Sequence, residues 1–176
     1  MKISLFSIIM AGIILASCMA PAEKQYFQES ADIDLGKKVI DAYLAGDWAA
    51  AAENYADTAR IWRNVSWETN PGFTVEEYIA DLKVPLEVTS SYDFDPQTWE
   101  SIISDDGQHW VHFWGVWKGA NTATEKDYEI VVHLSMQIEN GKIVRQGDIF
   151  NDTQIAMDMM ALQMEAEEAD VDDDDM

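Results

Sequence analysis

The sequence predicts an α+β fold, with helices laid on one face of a curved, mostly antiparallel sheet. Three observations carry this. Apolar residues recur at helical spacing early in the chain, and the second half changes to the two-residue alternation of strands. The later strands are joined by Asp105-Asp106-Gly107 and Asn140-Gly141, residue types that tolerate the positive φ of tight hairpins. Helices first and hairpins after is the pattern of a layered α+β domain. The length of 176 residues suits one domain at about 100–200 residues each.

Each element has its own signal. Ser30 or Asp32 can cap a first helix, whose apolar stripe is Ile33, Val39, Ile40, Tyr43 and Leu44. Gly46 stops it, and Asp47 caps an Ala-rich second helix from Trp48 to Tyr55. Arg60–Arg63 predicts a short strand, and Asn70-Pro71-Gly72 a turn. Thr74-Val75-Glu76-Glu77 is a capping box. It opens a third helix that ends near Leu82 or, past Pro85, near Val88. Strands follow at Gln97–Ser104, Gln108–Lys118, Tyr128–Glu139 and Lys142–Phe150. A closing helix over 152–164 places Ile155, Met159 and Leu162 at roughly helical spacing. There is no internal repeat.

The N-terminus carries an address. Met1-Lys2 is positive, and Ile3 to Ala16 is mostly apolar. That run is shorter than the roughly 20 residues of a membrane span and predicts a signal peptide over 1–17. It ends in Leu15-Ala16-Ser17-Cys18, which resembles the lipobox of bacterial lipoproteins. The resemblance implies cleavage before Cys18 and acylation of its thiol. Two or three acyl chains make a stable anchor where one is marginal. Cys18 is the only cysteine, so it is expected to be neither nucleophile nor metal ligand. Met19 in place of Asp favours, by resemblance to the sorting rule of enteric bacteria, the outer membrane of the cell envelope. Residues 18–30 are then a lipidated tether, 31–163 the domain, and 164–176 an acidic tail. The eight acids between Glu165 and Asp175 lack the Gly-containing spacing of a calcium loop and predict a solvated, disordered end.

Charge excludes other partners. The chain has 33 acids against 11 bases, a net charge of -22. Nucleic acid needs a Lys/Arg footprint that is missing, and anionic lipid offers such a surface no attraction. Hydrophobic residues at 48% rule out wholesale disorder.

Two stretches resemble a family. The segments AYLAGDW (Ala42–Trp48) and YADTARI (Tyr55–Ile61) are similar to the opening of the SnoaL-like group in the nuclear transport factor 2-like superfamily. IENGKIV (Ile138–Val144) and GDIFND (Gly147–Asp152) resemble its closing hairpin and exit. The resemblance covers about residues 31–160. It implies a cone: a bent sheet wrapped around about three N-terminal helices, with a pocket between them. It also implies a tendency to dimerise across the outer sheet face. Members include isomerases, cyclases, hydrolases, dehydratases and non-catalytic binding domains, so the fold does not give the function.

The family's catalytic groups can be sought position by position. Aligned without gaps on Gly46-Asp47, the tyrosine of the steroid isomerases falls at Val39 and their base at Arg63. Their acid falls at Leu134 or His133. Arginine stays charged and cannot abstract a proton. In the limonene epoxide hydrolase branch the last catalytic Asp corresponds to Asp148, but its Arg–Asp partners would fall among Trp110, His112 and Trp114. Asp148 and His112 are therefore the catalytic candidates that remain.

Strand alternation sorts the faces. Ile130, Val132, Leu134, Met136 and Ile138 form the buried face of their strand, which puts His133 outside. Trp110, His112, Trp114 and Val116 share one face of the preceding strand; Val111, Phe113 and Trp117 share the other. Both are bulky, which points to cover on both sides and hence to a homodimer. His109 and His112 are three apart, on opposite faces, so no metal site is expected. The aromatics suggest a lined pocket for an apolar ligand oriented by a few polar groups. Tyr43, Trp62, Arg63, Trp110 and Trp114 are the candidate binding residues. A buried Arg63 wants a carboxylate: Asp148 is the favoured partner, a ligand's carboxylate the alternative.

The expected function is non-catalytic binding of a small, largely apolar molecule by a membrane-anchored domain, with no cofactor. One alternative is a hydrolase, dehydratase or cyclase using Asp148 and His112. Another is a structural or partner-binding domain whose cone is filled by its own aromatics.

Overall fold

The computed structural model describes residues 25–174, with side chains to residue 165. The expected signal peptide, Cys18 and most of the expected tether lie outside the described residues. In chain order the elements are β1 (Tyr26–Phe27), α1 (Ala31–Ala45), α2 (Trp48–Ala52), β2 (Tyr55–Arg63) and α3 (Val75–Lys83). A 3-10 turn (Val84–Val88) leads into β3 (Thr89–Ile103), β4 (His109–Asn121), β5 (Asp127–Glu139), β6 (Lys142–Phe150) and α4 (Thr153–Asp174). The six strands form one sheet in the order β1-β3-β4-β5-β6-β2. All neighbours are antiparallel except β2 and β6.

The helices begin and end where their caps dictate. The Ser30 hydroxyl accepts from the Ile33 N–H at 3.1 Å and opens α1. Gly46 closes it in the left-handed conformation. Asp47 accepts from the Ala50 N–H at the start of α2. That helix is shorter than expected, because the chain turns extended at Tyr55. The Thr74–Glu77 capping box is complete, and Pro85 starts the 3-10 turn that follows α3.

α1 lies against the concave sheet face through Ile33, Val39 and Ile40, which are at most 7% exposed. It meets Val111, Phe113, Leu134 and Met136 from β4 and β5. At Gly36 the approach is so close that an added Cβ would stand 2.7 Å from the Trp99 ring. Asn140 and Gly141 both take positive φ in the β5–β6 hairpin, as that turn requires.

Three boundaries differ from expectation. β3 starts at Thr89 rather than Gln97, since its pairing with β4 passes Pro96 through a bulge between Phe94 and Gln97. The end of the tether is a short strand, with Tyr26 opposite Ile102 and Phe27 opposite Ser101. The last helix continues to Asp174 where a disordered end from 164 was expected. Ala, Glu and Met are good helix formers and carry its backbone through the acidic stretch.

Candidate functional site

Between the sheet and the helices lies a cavity of about 480 Å³. A cone filled by its own aromatics would leave no such space, so the filled-cone alternative does not describe this molecule. Most of the wall is apolar: Val39, Ile40 and Tyr43 from α1, Phe73, Leu82 from α3, Trp117 from β4, and Ile130, Val132 and Leu134 from β5. α4 closes one side with Ile155, Ala156 and Met159.

Polar groups gather at one end. In the parallel pair of β2 and β6, Arg63 stands opposite Asp148. Arg63 is bracketed by two carboxylates. Its Nη1 pairs with Asp81 of α3, and its Nε lies 3.8 Å from Asp148 Oδ2. The expected pair is therefore present, but Asp81 is the nearer partner. The guanidinium also lies over the Phe150 ring, 4.8 Å from its centroid.

Asp148 is 3% exposed. Its Oδ1 accepts from Gln146 Nε2 at 2.7 Å. The same amide donates to the Tyr78 hydroxyl at 2.9 Å, while Gln146 Oε1 accepts from the Tyr55 hydroxyl at 2.6 Å. Burial pushes the Asp148 carboxyl up to about 6, against the pull of Gln146, Arg63 and Tyr78 toward the charged form. Burial likewise drives Tyr55 and Tyr78 above their ordinary values, with the Asp148 charge adding to it. Both phenols are neutral near pH 7.

Elsewhere on the cavity wall the Tyr43 hydroxyl accepts from Trp117 Nε1 at 3.0 Å. Burial raises Tyr43 too, so it stays a neutral hydroxyl with a proton to offer a ligand oxygen.

No protein-family model matches the chain, and no curated protein matches it in sequence. Solved structures match in shape. An NTF2-like protein of unknown function from Burkholderia pseudomallei is 15% identical, covering 72% of this chain and 95% of that one, with a TM-score of 0.55. A proposed SnoaL-like polyketide cyclase from Shewanella denitrificans is 14% identical over 76% of this chain and 98% of that one, at 0.53. A protein of ketosteroid isomerase-like fold from Catenulispora acidiphila, in complex with trimethylamine, is 9% identical over 69% and 88%, at 0.52.

The chain has the SnoaL-like, NTF2-like fold.

Within that fold the sequence-predicted residues divide. Tyr43, Arg63 and Asp148 face the cavity. His112, Trp110 and Trp114 do not. On β4 the inward residues are Val111, Phe113, Gly115 and Trp117, and their neighbours point to the convex side. His112 there stacks on His133 with ring centroids 5.4 Å apart, and Trp114 stacks on His133 at 3.9 Å. The whole sheet separates His112 from Asp148, so the two cannot act together. Trp62 is also outside, where its Nε1 donates to the Asn70 carbonyl at 2.8 Å and Arg145 covers its ring. His109 leaves the group altogether and pairs with Asp32 at 2.8 Å.

The positions aligned with the isomerase groups, Val39, Arg63 and Leu134, do line the cavity. They carry two aliphatic side chains and a cation. Sequence reasoning missed Tyr55, Tyr78, Asp81 and Gln146. Gln146 was within reach, since it shares the face of Asp148 two residues away. Tyr78, Asp81 and Leu82 form one stripe of α3 at helical spacing, but only the tertiary crossing brings that stripe to Arg63.

Proposed function

We propose that the domain binds a small, largely apolar molecule in the cavity, with its polar end against Arg63 and Asp148. One observation carries this: a space of about 480 Å³ with an apolar wall and polar groups at one end, which is how small-molecule sites are built. Native mass spectrometry of residues 19–176, expressed without lipid, tests it. The expected result is a species with extra mass, or uptake of one from a lipid and metabolite extract. A bare species that takes up nothing sinks the proposal.

A specific observation favours a second role. Asp148 is buried at the cavity wall, where burial raises its carboxyl to about 6, which suits general acid–base work. In an enzyme of the hydrolase, dehydratase or cyclase type it would act with Tyr78 and Arg63 rather than His112. Asp148→Asn would then abolish turnover and leave folding intact.

The anchor and the assembly belong to the same proposal. Cys18 carries acyl chains that hold the domain at the cell envelope, on the outer membrane by the identity of residue 19. The motif supports this, and Cys18→Ser should release the protein from the membrane fraction. A second copy covers the convex sheet face. That face exposes Trp114, Val131 and Ile149 at 47%, 66% and 65%, an apolar surface on a chain otherwise dominated by acids.

A further inference from the structure

The charged end of the cavity holds more acid than base. Among the described residues, the lining of the whole cavity includes three carboxylates, Asp81, Asp148 and Asp152, and one guanidinium, Arg63. Arg63 is already neutralised from two sides, by Asp81 and by Asp148. Arg63 Nε makes no hydrogen bond, yet an incoming ligand carboxylate would still meet a guanidinium already paired with two carboxylates, and repulsion of this kind is what excludes wrong partners. The neighbouring wall is aromatic. Tyr43 packs edge-on to Trp48 with centroids 6.0 Å apart and lies 5.9 Å from Phe94. Phe73 and Trp117 complete that side. Aromatic faces attract cations, and Trp48 already draws one, with Lys83 Nζ 5.3 Å from its ring centroid. Lys83 is exposed and outside the lining, so it offsets the carboxylates only through solvent. The net charge of -22 adds a field of the same sign.

We infer that the ligand is a cation: a small hydrophobic amine whose ammonium group sits among Asp81, Asp148 and Asp152 while its apolar body fills the aromatic wall. This rests on the pocket-binding function proposed above and names its ligand class.

Three probes of similar size test it by calorimetry on the purified full chain at pH 7.5: phenethylamine, 2-phenylethanol and phenylacetate. The amine should bind about tenfold tighter than the alcohol, and the carboxylate weakest, as expected for a cation desolvated against carboxylates and rings. Asp81 is half-exposed and Asp152 exposed, so the double variant Asp81→Asn/Asp152→Asn should fold. It should lose most of the preference for the amine over the alcohol. Phenylacetate binding tightest, or all three binding equally, overturns the cationic class and leaves pocket binding standing. Failure of all three to bind overturns pocket binding and the cationic class with it.

Discussion

Asp148 links the site to the stability of the fold. Its folded value of about 6 lies above the ordinary carboxyl value of 3.8. A group raised in this way binds its proton more tightly in the native state. Its contribution is fully present below about pH 4 and is lost as pH rises through 6. The shift corresponds to roughly 3 kcal/mol at about 1.4 per unit. Asp148→Asn should therefore be more stable relative to the parent at pH 7 than at pH 4.5, read as the difference in urea midpoints; an equal difference at both pH values contradicts the assignment. His112 and His133 act with the opposite sign. Burial holds both below the ordinary imidazole value, so their part of the stability is lost as pH falls. Comparing Asp148→Asn with its parent at each pH cancels that contribution. At this scale the sequence was legible where alternation had one solution. β5 has one apolar face and one polar face, and that placed His133 outside. β4 is bulky on both faces, so alternation alone allowed two orientations. The register of Phe113 against Leu134 decides between them. That register depends on the turn joining β4 and β5, which composition does not fix.

Two elements make sharp predictions. α1 owes its depth in the core to Gly36, where a Cβ would press on Trp99, Met136 and Val111. Alanine is the better helix former by about 1 kcal/mol, yet overpacking of this kind costs about 1–3 kcal/mol. Gly36→Ala should lower the melting temperature, and a rise would show that the helix has room to move away. α4 is held differently. Asp158 accepts from Lys126 at 2.7 Å and from the Tyr128 hydroxyl at 2.8 Å, and one turn earlier Ile155 is buried. Those hydrogen bonds hold the Asp158 carboxyl below the usual range, so the clamp persists above pH 4 and is lost as pH falls below it. Asp158→Ala should speed amide exchange in α4 while the β5 amides keep their protection; uniform protection in the variant would mean the clamp holds nothing. Caps were the most legible feature of the elements. Ser30, Asp47 and Thr74 each bond within their own helical turn, so no tertiary information is needed to place them. Strand ends were the least legible. β3 runs through Pro96 because a bulge absorbs the missing donor, and its partner β4 lies over a dozen residues away in sequence.

For the molecule as a whole, the convex face sets the expected assembly. Trp114→Glu with Val131→Glu should yield a monomer in sedimentation velocity where the parent sediments as a dimer. An unchanged dimer would move the contact to another surface. The α+β layering was readable from the order of elements, since helices before hairpins leave few ways to cover one sheet face, and the cone followed from the family resemblance. The cavity was not, because its volume depends on how closely α1, α3 and α4 approach the sheet. The smallest strand has the longest reach in consequences. β1 pairs Tyr26 and Phe27 with β3, and the Gln25 carbonyl accepts from the Ile103 N–H at 2.8 Å. A leash expected to run to residue 30 is thereby moored at Gln25. Seven residue steps from Cys18 span at most about 25 Å, less than the roughly 30 Å of a bilayer's hydrocarbon core. With Cys18 acylated, the β1 edge stays beside the membrane, and four strands stand between that mooring and β2. A domain tethered so closely samples what gathers at the lipid–water boundary, where amphiphilic molecules are far more concentrated than in the surrounding fluid.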